Sequence, residues 1–205
     1  FQTVFANDVK KSAAFSWIPF FGKKGIPKEV FNLGSVVDCV RSYNNGNYNI
    51  FPDEIDIVTG GFPCQDFSIA GKRKGFDSQK SHDGQSLLDS TDASVESRGM
   101  LYIWMREVVR ITKPKVFVAE NVKGLVSLSN VKDIITNDFS NIEGGYLVIP
   151  ARVLHAAEYG VPQNRERVIF IGFKKSALRS LALKNLSKNS IPDEYDPYPI
   201  ITHFL

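Results

Sequence analysis

The chain has 205 residues, of which 43% are hydrophobic and 23% charged, so it is long and apolar enough to bury a real core. No apolar run approaches the roughly 20 residues that cross a bilayer, and the opening Phe1-Gln2-Thr3-Val4-Phe5 lacks the basic-then-apolar pattern of a signal peptide. Two cysteines, Cys39 and Cys64, cannot build a disulfide scaffold and are too far apart for a local zinc motif, which favours a reduced, intracellular setting; a net charge of +3 permits a polyanionic partner without demonstrating one.

In chain order, Gln2 to Ala6 is a first expected strand, and Lys10 to Phe15 an amphipathic helix. Cys39 follows Asp38 in a helical stretch, where it has a structural rather than chemical place. Ile55 to Thr59 is a β-branched run that enters a Gly60-Gly61 turn. Asp77 to Arg98 is rich in Ser and Asp, poor in apolar residues, and predicts a long polar loop. Met100 to Thr112 carries Leu101, Trp104, Val108 and Ile111 at helical spacing and ends before Pro114. Val116 to Ala119 predicts a buried strand, Val131 to Phe139 a helix, and Tyr146 to Ile149 and Val168 to Ile171 two further strands. From Lys184 onward, with Pro192, Pro197 and Pro199, the pattern is that of a linker. Strands alternating with helices predict an α/β domain with a mostly parallel sheet, in which ligands sit beyond the carboxyl ends of the strands. That places Asp8, Cys64 and Glu120 where a ligand would be.

Three stretches carry chemistry. In Gly60-Gly61-Phe62-Pro63-Cys64-Gln65-Asp66-Phe67-Ser68, a cysteine follows a turn whose free N–H groups favour the thiolate; such a residue is either a nucleophile or a small space-filling group. In Ala119-Glu120-Asn121-Val122, a carboxyl group ends an apolar strand, where it is either a partly desolvated acid–base group or a capping or salt-bridged glutamate. In Gln163-Asn164-Arg165-Glu166-Arg167, two arginines point the same way if a strand begins there, to hold an anion or orient a neighbour, or simply to form a solvated strand entry.

In order and spacing, these three stretches resemble the cytosine-5 DNA methyltransferases. Phe67-Ser68-Ile69-Ala70-Gly71 with Gly75-Phe76, Arg98-Gly99 before a helix, and Tyr159-Gly160-Val161-Pro162 extend the likeness, which runs from about Val4 to Phe173. The resemblance implies a Rossmann-like S-adenosylmethionine-dependent methyltransferase fold that acts on double-stranded DNA. By the same resemblance, Cys64 is the nucleophile that adds to cytosine C6, Glu120 holds N3 and the exocyclic amine, and Arg165 with Arg167 contacts the base or steadies the Cys64 loop. The base must be flipped out of the duplex to be reached. Pro63, Gln65, Ser68 and Asn121 belong to the same substrate pocket, with Asn121 holding the turn. Lys72 and Arg73, next to Lys74, would contact phosphates. For S-adenosylmethionine the likeness assigns Asp8 to the ribose hydroxyls, Val9 to the adenine face, the Val36 backbone to the adenine amine, and Leu101 to an apolar contact. Ser35 stands where the family commonly has Asp, a departure expected to weaken cofactor affinity. His82, His155 and His203 show no ligand spacing, and no metal is assigned.

The likeness also sets expectations about extent. The family's first strand, with its Phe/Gly-rich cofactor loop, and its target-recognition region find no counterpart. Residues 1–183 are therefore expected to be a partial, incomplete catalytic domain, with 184–205 a linker or the start of a target-recognition region, and a complementing polypeptide is a conceivable partner. A truncated non-catalytic DNA-binding subunit and a tRNA cytosine-5 methyltransferase are the alternative readings.

Overall fold

A computed structural model describes residues 1–62, 102–127 and 131–203. The chain forms two compact units, Phe1–Ile55 and Asp56–Leu205.

In the first unit, β1 (Ala6–Asp8) pairs in parallel with β2 (Phe31–Leu33), with Asp8 opposite Leu33. The expected strand at Gln2 to Ala6 is thus displaced toward Asp8, because a strand is defined by its partner and β2 offers only three residues. Helix α1 (Lys11–Gly22) joins the two strands and outruns the expected Lys10 to Phe15 segment. The aromatic run sustains it: Trp17 and Phe21, one turn apart, stack at 4.5 Å between ring centroids, although Pro19 removes one backbone donor. Helix α2 (Val36–Asn44) starts at Ser35, whose side chain accepts a hydrogen bond from the Val37 N–H at 3.2 Å. It buries Val37, Cys39 and Val40. Burial pushes the Cys39 thiol above its ordinary pKa, so this cysteine stays protonated and fills space.

The second unit contains β3 (Ile57–Gly61), α3 (Tyr102–Thr112), β4 (Val116–Val122), α4 (Val131–Ser140), β5 (Tyr146–Val148), β6 (Arg152–His155), β7 (Glu166–Lys174) and α5 (Ser180–Leu186). Its sheet runs β3-β4-β7-β5, with β6 also paired to β7. Among the described residues, only β3–β4 is parallel in this sheet; β7 pairs antiparallel with β4, β5 and β6. The expectation of a mostly parallel sheet is therefore corrected to a mixed one. Parallel neighbours need a crossover of a dozen or more residues, which lies between β3 and β4; β6 and β7 are joined by too short a segment and must run in opposite directions. β7 then inserts between β4 and β5.

Alternation along β4 puts Phe117, Ala119 and Asn121 on the face that is fully buried. Phe117 stacks on Phe139 of α4 at 4.6 Å and leans on Tyr146 of β5 at 5.5 Å. On the sheet's other face, Val116, Val118 and Ile169 pack against a cluster of Ile149, Ile171, Leu186 and Tyr198. The proline-rich stretch expected to be a linker thus contributes a buried leucine and a buried tyrosine to this core. The Tyr198 hydroxyl anchors it, 2.9 Å from the Ile169 carbonyl and 3.1 Å from that of Pro150.

Candidate active site

The ends of β3, β4 and β7 bring one group of polar side chains together. β4 extends through Val122, so Glu120 lies inside the strand rather than just past its end, opposite Gly61 of β3 and Ile169 of β7. The expectation that it closes the strand is corrected by three further ladder positions that β7 supplies.

Arg167 stands opposite Val122 on β7, one diagonal step from Glu120 and on the same face of the sheet. Arg165 lies two residues earlier, just before β7 begins. Both side chains converge on a single oxygen: Glu120 Oε1 lies 2.6 Å from Arg167 Nε and 3.6 Å from Arg165 Nη2. Oε1 is fully buried yet accepts no hydrogen bond of good geometry from the described residues, and charge attraction to the two arginines holds it there. The glutamate as a whole keeps about a third of its side-chain surface open, at 37%. Glu166, between the arginines, pairs instead with Lys123 at 2.6 Å.

Asn121 occupies a core position at 1% exposure, and both ends of its amide are used. Its Nδ2 donates to the Phe62 carbonyl at 3.3 Å, and its Oδ1 accepts from the Val122 N–H at 2.8 Å. The side chain therefore ties β4 to the residue immediately before Pro63-Cys64. Pro63, Cys64, Gln65, Ser68, Lys72 and Arg73 lie outside the described residues, as do Lys74, the 77–98 loop, the Arg98-Gly99 pair and Leu101.

In the first unit, Asp8 is the last residue of β1, and its Oδ1 accepts from the Lys10 N–H at 2.7 Å. Val9 beside it is 56% exposed, an apolar side chain facing solvent. The Asp8 carbonyl accepts from the Gly34 N–H at 3.1 Å, which brings the Gly34-Ser35-Val36 turn to the end of β1. Asn7, which the sequence did not single out, secures this junction: its Nδ2 donates to the Asn32 and Gly34 carbonyls, each at 3.0 Å. The only signal available was a polar side chain inside a short strand, too common to read.

Among the described residues no cluster of His, Cys, Asp and Glu is arranged to hold a metal ion, and no helix is long and apolar enough to cross a membrane.

Comparison with known proteins shows the family. The family model for C-5 cytosine-specific DNA methylase matches residues 1–203. The chain is 40% identical over 176 residues to the Type II methyltransferase M.NgoFVII of Neisseria gonorrhoeae, covering 84% of this chain and 38% of the relative. It is 34% identical over 205 residues to the Type II methyltransferase M.BspRI of Lysinibacillus sphaericus, covering 99% of this chain and 36% of the relative. The chain thus spans little more than a third of the length of these relatives. The S. pombe Dnmt2 methyltransferase superposes with a TM-score of 0.51 at 14% identity, over 95% of this chain and 51% of that one, a likeness of fold. With a family model matched over nearly its whole length, the chain belongs to the C-5 cytosine-specific DNA methylases.

Proposed function

We propose that this chain carries the base-binding and nucleophilic part of a DNA (cytosine-5-)-methyltransferase. The observation that supports this most is the convergence of Arg165 and Arg167 on Glu120, beside an Asn121 that holds the backbone one residue ahead of Pro63-Cys64.

Cytosine C5 is a weak nucleophile, and covalent activation makes it a good one. The Cys64 thiolate adds to C6 of a flipped-out cytosine: the S–C6 bond forms as the C5–C6 π pair moves onto C5. Glu120 holds N3 and the exocyclic amine, and neutralises the charge driven into the ring as the thiolate adds. The carboxylate suits this, since one oxygen faces the arginines while about a third of the side chain's surface, 37%, stays open. Arg167 and Arg165 keep the carboxylate aimed, and Asn121 holds the turn that presents Cys64. Pro63, Gln65 and Ser68 shape the base pocket, and Lys72 and Arg73 meet the phosphates of double-stranded DNA. The cycle ends with loss of the C5 proton and expulsion of the thiolate.

The family generally uses S-adenosylmethionine, which when bound supplies an electrophilic methyl group. The residues present fit it: a carboxylate at a strand end suits a ribose diol, and an exposed valine beside it suits the face of adenine. Asp8, Val9 and the Val36 backbone would hold it.

The test is covalent trapping on DNA containing 5-fluorocytosine with S-adenosylmethionine present. A protein–DNA adduct is expected from the chain, alone or with a complementing polypeptide, and none from Cys64→Ala. Identical behaviour of the two proteins would remove the nucleophile. An adduct formed on the equivalent RNA instead would move the substrate to tRNA.

A further inference from the structure

We propose that Gly61 is a positioning residue whose missing side chain provides the space in which the Glu120 carboxylate sits. The sequence presents Gly60-Gly61 as a turn, but both residues lie in β3, and neither has the positive φ that calls for glycine. Glycine inside a strand weakens it and often marks a close approach. Gly61 pairs in register with Glu120 across the parallel β3–β4 ladder, so a side chain at 61 would rise on the same face as the glutamate. A Cβ built there would lie 2.9 Å from Glu120 Oε2, closer than real Cβ atoms come to such neighbours, and 3.6 Å from the Glu120 carbonyl oxygen, which is ordinary contact.

What obstructs the methyl group is therefore the far end of a flexible side chain and not the backbone. The strand can accept alanine if the carboxylate swings aside. The carboxylate cannot swing freely, because its other oxygen is held 2.6 Å from Arg167 Nε. Gly61→Ala should thus leave the fold in place and displace the one group whose position matters. The two other strand glycines described in this sheet face different neighbours: a Cβ at Gly60 meets Met105 Sδ at 3.3 Å, and one at Gly172 meets the Phe117 ring. Gly61 alone of the three answers to a carboxylate.

The consequence for the base edge rests on the proposed methyltransferase reading; the steric relation does not. Four proteins separate them: the native chain, Gly61→Ala, Glu120→Ala and the double variant, each unfolded with urea. The methyl group at 61 is expected to be less favourable when Glu120 is present than when alanine replaces it, giving a non-additive cycle. Additive effects would overturn the proposal, and they do so whether or not the chain is active. Should Gly61→Ala fail to fold, recovery in the double variant gives the same support and its absence the same refutation. On 5-fluorocytosine DNA, Gly61→Ala is expected to slow adduct formation by roughly 10²-fold, as misplacement by about 1 Å can do, with DNA affinity unchanged. Native-rate trapping by Gly61→Ala would also overturn it. If the native chain forms no adduct either alone or with a complementing polypeptide, the reaction assignment falls, and the unfolding cycle decides the role of Gly61 by itself.

Discussion

Asn121 shows how much one side chain can do at the junction of fold and chemistry. It is a polar residue at a core position of β4, and its two amide ends join the Phe62 carbonyl to the Val122 N–H. Asn121→Ala would leave both groups without that partner and open a small void. Removing one partner of a buried hydrogen bond costs about 1–3 kcal/mol. We expect a loss of that size in urea unfolding, with the Cys64-dependent adduct also forming more slowly. An unchanged unfolding midpoint would mean that the amide is not the tie described. The sequence made Glu120, Asn121, Arg165 and Arg167 visible as candidates, since each departs from an otherwise apolar strand or repeats a charge at strand spacing. It could not show that both arginines choose the same carboxylate oxygen, because that depends on β7 lying next to β4 and in which register.

Strand β7 is the element on which the site depends. It lies between β4 and β5, supplies the two arginines' approach to Glu120, and contributes a glycine where no other residue fits. Gly172 pairs with Phe117, whose ring occupies the place a Cβ would take. That ring in turn stacks on Phe139. Gly172→Ala should therefore destabilise the second unit by about 3 kcal/mol or somewhat more, at the upper end of overpacking effects. Urea unfolding checks this, and adding Phe117→Leu should recover part of the loss by yielding space. If the single variant unfolds like the native chain, the Gly172–Phe117 contact is not as tight as described. The strong periodic elements were legible in the sequence: α3, β4 and α4 lie close to where hydrophobic spacing put them. The short strands β2 and β6 were not, since Asn32 in one and Arg152 and His155 in the other leave no continuous apolar run like that of β5.

Across the second unit as a whole, buried tyrosines set how stability depends on pH. Burial pushes Tyr146 and Tyr198 from an ordinary value of 10.0 up to about 12 each. Tyr102 is also raised, by burial and by its hydrogen bond to the Asp138 carboxylate at 2.6 Å. A tyrosine with a raised folded-state pKa favours the protonated, folded form, so its contribution is complete below about pH 10 and lost as pH rises toward 12. With each pKa unit worth about 1.4 kcal/mol, Tyr146 and Tyr198 together would lose on the order of 5 kcal/mol once pH has passed their folded values. The unfolding midpoint should be insensitive to these groups up to about pH 9 and fall steeply above 10. The double variant Tyr146→Phe, Tyr198→Phe should fall less steeply over that window; an unaltered slope would show that other groups control it. Tyr198 acts here from within the proline-rich stretch, which composition alone presented as a linker.

The amino-acid sequence by itself pointed to the family and to the approximate place of the principal helices and strands. A cysteine after a glycine pair, a carboxylate in an apolar strand and arginines two apart are local patterns, and local patterns survive in one dimension. Only the tertiary structure decided strand order, the antiparallel insertion of β7, the sharing of one Glu120 oxygen by two arginines, and the closeness of the Glu120 carboxylate to Gly61. Each of these is a relation between segments far apart in the chain, created by which strand pairs with which and in what register. Such pairing is chosen by the packing of the whole sheet, and no single segment carries it.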